Sequence, residues 1–149
     1  MENSYQYTTS ATWTNGRRGT IHAEGIDHSL DFSAPPEFQG TAGIWTPEHF
    51  LVAAVATCFV TTFRAIAEFS KFEINGLQVT AEGVLSKGEG GFKFTNIIVR
   101  PTLTVLREED RERGLNLMDK AEHACLVSRS LNSEITLEPT VITGSTASA

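Results

Sequence analysis

The chain has 149 residues, 40% of them hydrophobic and 20% charged, and a formal net charge of −6 at pH 7. These values predict one globular domain with a sizeable core, and the negative charge argues against a nucleic-acid partner. The longest apolar run, residues 50–60, is too short to span a bilayer, so we expect no membrane partner. The N-terminus lacks a basic segment followed by an apolar one. We therefore expect a cytoplasmic protein whose thiols are reduced at rest.

The first third of the chain predicts three strands and an ordered loop. Residues 5–13 are rich in threonine and aromatic side chains, which is typical of a strand. Asn15-Gly16 predicts a type I′ turn, because both central residues of that turn need positive φ. The returning strand should cover residues 18–23, and a third strand residues 29–32. The loop then extends to Trp45 and contains two prolines and two glycines.

A long helix with clear start signals comes next. Thr46 is a suitable N-cap, Pro47 occupies the favoured first helical position, and Glu48 complements the positive end of the helix dipole. The helix should run to about Phe69. Because residues 50–60 are apolar on nearly every face, we expect this helix to be buried all round.

A hairpin follows the long helix. Residues 73–85 and 92–105 predict two strands, joined by a glycine-rich turn at residues 88–91. Proline donates no ladder hydrogen bond, so Pro101 should place part of the second strand at an edge or at a bulge.

The last third predicts one more helix and one more strand. The helix should span residues 108–124, with an early kink at Gly114. Its predicted apolar stripe consists of Leu117, Ala121, Ala124 and Cys125. Residues 134–142 predict the final strand, and residues 143–149 a frayed tail. The mixture of antiparallel hairpins and helices predicts an α+β fold, as a single domain over residues 1–149.

Metal and cofactor sites have no support in the sequence. The four histidines and two cysteines show neither an HExxH motif nor paired CxxC motifs, so we expect no metal site. The glycine-rich segment at residues 88–91 is not followed by the Lys-Ser/Thr pair of a phosphate-binding loop. We expect no bound cofactor.

Thiol chemistry is the remaining possibility. Cys58 and Cys125 are either small core residues, or an attacking and a resolving thiol that the fold brings together. A reactive thiol needs a nearby cation or a helix N-terminus, and Cys58 lies in the middle of its predicted helix. An arginine should therefore activate it, and Arg17 and Arg18 are the candidates. Glu48 is able to hold such an arginine through a bidentate ion pair.

Segments around both cysteines resemble those of the OsmC/Ohr proteins, a family of thiol-dependent peroxidases. The helix from Thr46-Pro47-Glu48 to Cys58-Phe59 is similar to the family's "(N/T)PE…L…A…(A/S)CF" helix. Cys125-Leu126-Val127-Ser128 is similar to its "CPVS" segment. Gly16-Arg17-Arg18-Gly19 is similar to the "GR(D/E)G" turn that holds the catalytic arginine in the Ohr branch. The resemblance covers roughly residues 5–140.

Three features depart from the family pattern. Leu126 stands where the family usually has proline, and His49 where it often has Glu or Gln. In the OsmC branch the catalytic arginine lies before the helix, but residues 29–45 contain no arginine here. The role therefore falls to Arg17, the better motif match, or to Arg18, and the branch stays open between OsmC and Ohr.

The resemblance implies an activity and a set of site residues. Cys58 would attack a peroxide, Cys125 would resolve the sulfenic acid as a disulfide, Arg17 would activate Cys58, and Glu48 would orient Arg17. The substrates would be organic hydroperoxides and also hydrogen peroxide, and an external dithiol or lipoyl-type compound would be the reductant. The predicted apolar substrate pocket consists of Phe38, Trp45, Phe50 and Phe59.

Helix geometry favours a homodimer. Glu48 and Cys58 lie about 15 Å apart along the helix axis and roughly 80° apart around it, so one straight helix does not bring them together. An antiparallel copy would place Glu48 of one chain near Cys58 of the other. The resemblance also implies an intertwined homodimer, with antiparallel sheets around a long buried central helix. The alternative is a non-enzymatic dimer that binds a small ligand or acts as a scaffold.

Overall fold

A computed structural model describes residues 3–144, which form an α+β chain of seven strands and three α-helices. In chain order they are β1 (Thr9–Asn15), β2 (Arg18–Ala23), β3 (Leu30–Ser33), α1 (Pro47–Phe69), β4 (Gly76–Gly88), β5 (Gly91–Val105), α2 (Arg111–Ala124), α3 (Leu126–Arg129), β6 (Glu134–Leu137) and β7 (Thr140–Thr143). The described chain forms two compact units, one ending at Leu51 and the other beginning at Val52. The single domain expected over residues 1–149 stays a prediction.

The N-terminal unit contains an antiparallel sheet in the order β1-β2-β3. β2 has the predicted bounds, whereas β1 begins later than predicted, at Thr9. The turn between them is centred on Gly16-Arg17, because Asn15 already pairs with Arg18. Gly16 has a φ of 52°, but neither Asn15 nor Arg17 has positive φ. The type I′ turn at Asn15-Gly16 is therefore wrong, and one glycine provides the left-handed residue of the turn.

The start of α1 is fixed by a reciprocal pair of hydrogen bonds between Thr46 and His49. The His49 N–H donates to Thr46 Oγ1 at 3.0 Å, and the Thr46 N–H donates to His49 Nδ1 at 3.2 Å. This arrangement is a capping box in which histidine takes the place of Glu or Gln. α1 therefore begins at Pro47, as the sequence predicts.

The end of α1 is fixed by a left-handed residue. Lys71 has a φ of 55°, and the Phe72 N–H donates to the carbonyl of Ala67 at 2.8 Å. The Lys71 N–H bonds the carbonyl of Glu68, which completes the pattern of a Schellman motif. The predicted end at Phe69 is confirmed.

The expectation that α1 is buried all round is wrong for the single chain. Among the described residues, α1 is fully buried along a single stripe with a spacing of four residues, and its other positions are half-buried or exposed. The stripe consists of Val55, Phe59, Phe63 and Ala67. α1 is also long and apolar enough to cross a membrane, because its most apolar window of 18 residues has a mean hydropathy of 1.9; residues 50–60 alone are too short for this. Only 22% of its most apolar window is buried within the chain.

The C-terminal unit contains a mixed sheet with β5 at its centre. β4 pairs with β5 antiparallel, whereas β6 and β7 both run parallel to it. The final strand predicted at residues 134–142 is thus two strands, which separate at Glu138-Pro139. Of the tail predicted at residues 143–149, Thr143 belongs to β7 and the Gly144 N–H donates to Val105. Residues 145–149 lie outside the described part of the chain.

Pro101 lies in the central strand, so the predicted edge position is wrong. The carbonyls of Val99 and Val105 accept hydrogen bonds from the N–H groups of Glu138 and Gly144, on the side of β5 where β6 and β7 lie. Backbone groups two residues apart in a strand point the same way. Pro101 therefore faces the gap between β6 and β7, where a missing N–H costs the sheet little.

α2 is continuous through Gly114 and begins at Arg111, after a 3₁₀ turn at Glu108–Asp110. A Cβ added at Gly114 would lie 2.8 Å from the side chain of Leu103 on β5. The glycine therefore permits close packing of α2 on the sheet, and the kink stays a prediction. The buried stripe of α2 is Gly114, Leu117, Met118 and Ala121, whereas Ala124 is exposed.

Candidate active site

The structure brings the side chains of Cys58 and Cys125 close enough for each to affect the pKa of the other. Cys58 lies in the middle of α1, beside the buried stripe, and is half-buried. Cys125 separates α2 from α3 and is 1% exposed. Its extended backbone, with φ −67° and ψ 111°, ends α2 and serves as the N-cap of α3. Both thiols are free.

The environment of Cys58 favours its thiolate. Partial burial by itself raises the pKa of Cys58, but hydrogen bonds outweigh that effect and lower the pKa below its ordinary value. The groups that lower it are the Cys125 thiol, the Val127 N–H, the Thr62 hydroxyl and the Leu126 N–H. The Thr62 oxygen lies 3.7 Å from the Cys58 sulfur.

The pKa of Cys125 shifts in the opposite direction, upwards. Burial raises the pKa of the Cys125 thiol, and so does donation of a hydrogen bond to Cys58 together with the negative charge there. Hydrogen bonds from the backbone and the side chain of Ser128 oppose this rise without cancelling it. The pair therefore consists of a more accessible sulfur that favours the thiolate and a buried sulfur that keeps its proton.

Sequence reasoning missed the groups that lower the pKa of Cys58. The mid-helix position seemed to leave an arginine as the only source of activation. The structure supplies instead two N–H groups from the first turn of α3, an element that the sequence analysis did not predict. Thr62 offered a readable signal, because it lies four residues after Cys58 and therefore on the same helix face.

Arg17 and Glu48 do not form the predicted ion pair in this chain. Arg17 donates from Nη1 to the Phe38 carbonyl and from Nη2 to Gln39 Oε1, both at 3.1 Å. The Oε1 atom of Glu48 is buried and accepts no hydrogen bond from any group within residues 3–144. Arg18 is half-buried in β2, opposite Ser33. The roles of both arginines stay predictions.

The aromatic residues of the predicted substrate pocket lie in different environments. Phe59 is 1% exposed and belongs to the core, with its ring parallel to that of Phe63 and the centroids 6.3 Å apart; its role in the pocket stays a prediction. Trp45 stacks on Phe50 with ring centroids 5.6 Å apart, and a cavity of about 350 Å³ borders Trp45 and His49. Phe38 is half-buried. Within residues 3–144, His, Cys, Asp and Glu side chains form no group of three or more that could hold a metal ion.

Comparisons with known proteins identify the family. Residues 40–140 match the family model described as "OsmC-like protein", and the chain belongs to this family. The resemblance noted around the two cysteines is therefore confirmed, and so is the α+β fold class.

Similar proteins cover nearly the whole chain. The chain is 31% identical over 147 residues to the uncharacterized protein YmaD of Bacillus subtilis, which covers 94% of this chain and 97% of that protein. It is 33% identical over 134 residues to the organic hydroperoxide resistance protein of Xanthomonas axonopodis pv. citri, with 87% and 89% covered. A solved structure of an organic hydroperoxide resistance protein OsmC from Legionella pneumophila has a TM-score of 0.75 and 25% identity. That match covers 95% of this chain and 99% of the other.

Replacing Thr62 by valine should weaken the thiolate of Cys58. Thr62→Val removes a hydroxyl that donates to the Cys58 sulfur, so the pKa of Cys58 should rise. We expect alkylation of Cys58 by iodoacetamide at neutral pH to slow about 3-fold, measured by peptide mass spectrometry. Thr61→Val is the matched control, because the Thr61 hydroxyl donates to the Cys58 carbonyl rather than to its sulfur. Equal alkylation rates in the two variants would contradict the assignment.

Proposed function

We propose that this protein is a thiol-dependent peroxidase that reduces organic hydroperoxides, and also hydrogen peroxide, with Cys58 as the attacking thiol and Cys125 as the resolving thiol. The observation that carries the proposal is the contact between two free thiols whose pKa values shift in opposite directions. A nucleophilic thiol must be accessible and ionised to the thiolate. A resolving thiol must lie close to it and stay protonated until the sulfenic acid has formed. Cys58 meets the first requirement and Cys125 the second.

The proposed reaction needs two electrons from the thiols. The Cys58 thiolate attacks the terminal peroxide oxygen, the O–O bond breaks, and the alkoxide leaves and takes up a proton to become the alcohol. Cys58 is then a sulfenic acid. The Cys125 sulfur loses its proton and attacks the Cys58 sulfur, which releases water and forms a disulfide. An external dithiol, of lipoyl type in this proposal, restores both thiols by exchange and is itself oxidised to a disulfide.

The coupling between the thiols suits this order of events. In the resting state the charge of Cys58 helps to raise the pKa of Cys125, which keeps the resolving thiol protonated. Conversion of Cys58 to a neutral sulfenic acid removes that charge. Deprotonation of Cys125 then becomes easier at the moment when its thiolate is needed.

Family membership supports the proposed peroxidase function. The Xanthomonas relative is named for organic hydroperoxide resistance, while YmaD has no assigned function. In this proposal the stacked pair of Trp45 and Phe50, together with Phe38, takes the apolar part of the substrate. A cytoplasmic location would keep both thiols reduced between turnovers.

Oxidation by one equivalent of cumene hydroperoxide should join Cys58 to Cys125 within one chain. We expect peptide mapping to find this disulfide, and a coupled assay with a lipoyl dithiol to show continuous consumption. Cys58→Ser should abolish consumption. Without the external dithiol, Cys125→Ser should consume about one equivalent per chain and then stop, because its sulfenic acid has no thiol with which to condense.

Two outcomes would contradict this assignment. Over-oxidised Cys58 beside untouched Cys125, or disulfides that form only between chains, would remove Cys125 as the resolving thiol. A wild-type protein that consumes no hydroperoxide and forms no disulfide would favour the non-enzymatic ligand-binding or scaffold alternative.

Arg17 should matter more than Arg18 for the rate. We propose that Arg17 stabilises the Cys58 thiolate and the departing alkoxide, so Arg17→Ala should slow hydroperoxide consumption at least about 10-fold. Arg18→Ala, the matched control from the same turn, should change the rate less than about 2-fold. Small and equal losses in both variants would remove these arginines from the mechanism and leave activation to the groups around Cys58 in the C-terminal unit.

We also propose that the active protein is a homodimer in which a second copy covers α1. Among the described residues α1 buries a single stripe against its own chain, although it is apolar over most of its length. The unpartnered Glu48 Oε1 gives a second reason, because a buried carboxylate oxygen needs a donor. A two-fold axis would give two equivalent sites, each with Glu48 of one chain and Cys58 of the other.

Mixed dimers test the shared site. Glu48→Ala and Cys58→Ser chains are each expected to have low activity alone. In their mixed dimer one site carries both changes and the other carries neither, so about half of the wild-type activity per dimer should return. A monomer in sedimentation, or mixed dimers no more active than the parents, would contradict the proposal.

A further inference from the structure

We propose that Gln39 is a positioning residue for Arg17: its side-chain oxygen, together with the Phe38 carbonyl, orients the Arg17 guanidinium without neutralising its charge. The inference rests on the proposed role of Arg17 in stabilising the Cys58 thiolate. It assigns Gln39 a task that no pattern in the sequence around it indicates.

Two neighbouring residues hold the guanidinium of Arg17. Its Nη1 atom donates to the Phe38 carbonyl and its Nη2 atom to Gln39 Oε1, both at 3.1 Å. The main chain of Arg17 is held by the same loop, because the Ala34 N–H donates to the Arg17 carbonyl at 3.1 Å. The loop therefore fixes both ends of the residue, and the two bonds to the guanidinium fix the orientation of its plane.

The backbone of Gln39 is unusual for a residue with a side chain. Gln39 follows a 3₁₀ turn at Pro36–Phe38 and has φ 69° and ψ 29°, the left-handed conformation that glycine adopts most easily. The Gln39 N–H donates to the Pro36 carbonyl at 2.9 Å, which closes the turn. A strained position that keeps a long polar side chain points to a use for that side chain. The structure gives this use as the hydrogen bond from Arg17.

Both acceptors on the Arg17 guanidinium are neutral. Within residues 3–144 Arg17 forms no ion pair, whereas four other arginines pair with carboxylates: Arg64, Arg100, Arg107 and Arg111. An amide oxygen and a main-chain carbonyl orient a guanidinium but carry no charge that would cancel its own. The positive charge of Arg17 thus stays available to an anion such as a thiolate or a departing alkoxide, and its remaining N–H groups can donate to that anion.

The experiment measures the charge near Cys58 in a Cys125→Ser background, where Cys58 is the sole thiol. Iodoacetate is negatively charged and iodoacetamide is neutral, and the same thiolate attacks both reagents. The ratio of the two alkylation rates therefore cancels the fraction of thiolate and reports the local charge. Arg17→Ala gives the reference without that cation, and we expect it to lower the ratio about 3-fold.

Two substitutions of Gln39 separate orientation from charge. Gln39→Glu keeps an acceptor for Arg17 but neutralises it, whereas Gln39→Gly removes the acceptor on a backbone that suits glycine. Both should lower the ratio about 2- to 3-fold and slow hydroperoxide consumption by a similar factor, a moderate effect because both side chains are exposed. Gln78→Glu, the matched control, adds the same charge at an exposed position of β4 and should leave the ratio unchanged.

Thermal unfolding of Gln39→Gly shows whether the variant is folded. The proposal fails if Arg17→Ala lowers the ratio while both Gln39 variants keep the parental value, or if Gln78→Glu lowers it as much as Gln39→Glu. A ratio that does not respond to Arg17→Ala also overturns it, because Arg17 then exerts no charge on Cys58. These rates need no peroxide. A wild-type protein without peroxidase activity would refute the proposed function, and the response of the ratio to Gln39 would still decide this inference.

Discussion

The candidate site depends on the proximity of the Cys58 sulfur to the chain segment that starts at Cys125. Cys58 lies on α1 between Val55 and Phe59, both of which are buried. On the other side, the break between α2 and α3 brings the Cys125 thiol and the start of α3 near the same sulfur, and hydrogen bonding from this segment lowers the pKa of Cys58. The contact thus links packing to chemistry: the elements that bury Cys125 also make Cys58 the stronger acid.

A second constraint is the mismatch between the composition of α1 and its burial. The most apolar 18-residue window of α1 has a mean hydropathy of 1.9, yet the helix buries one stripe among the described residues, so it leaves apolar surface to be covered. At the start of the same helix, the buried Oε1 of Glu48 also lacks a partner, because it accepts no hydrogen bond within residues 3–144. A second copy of the chain would satisfy both features with one interface, which is why we prefer a homodimer to a solitary chain.

The sequence predicted features that depend on local signals. The bounds of α1 follow from Thr46, Pro47 and the apolar run, and both cysteine segments carry a family pattern that the comparisons confirm. Features that depend on tertiary neighbours were missed. Pro101 occupies a central strand because two different strands pair with β5 on one side, and Gly114 fits a close packing contact with Leu103. Apart from Thr62, the donors to Cys58 come from a part of the chain far away in sequence, so no local pattern around Cys58 could reveal them.

The central claim is that the two thiols have different acidities, and site-resolved titration measures this most directly. Cysteine labelled with ¹³C at Cβ gives one signal for Cys58 and one for Cys125 in the reduced protein, and each signal shifts as its thiol ionises. Our account predicts that Cys58 ionises at a pH below the ordinary range of a cysteine thiol and that Cys125 ionises above it. Two signals that titrate together at the ordinary value, or with Cys125 ionising first, would contradict it.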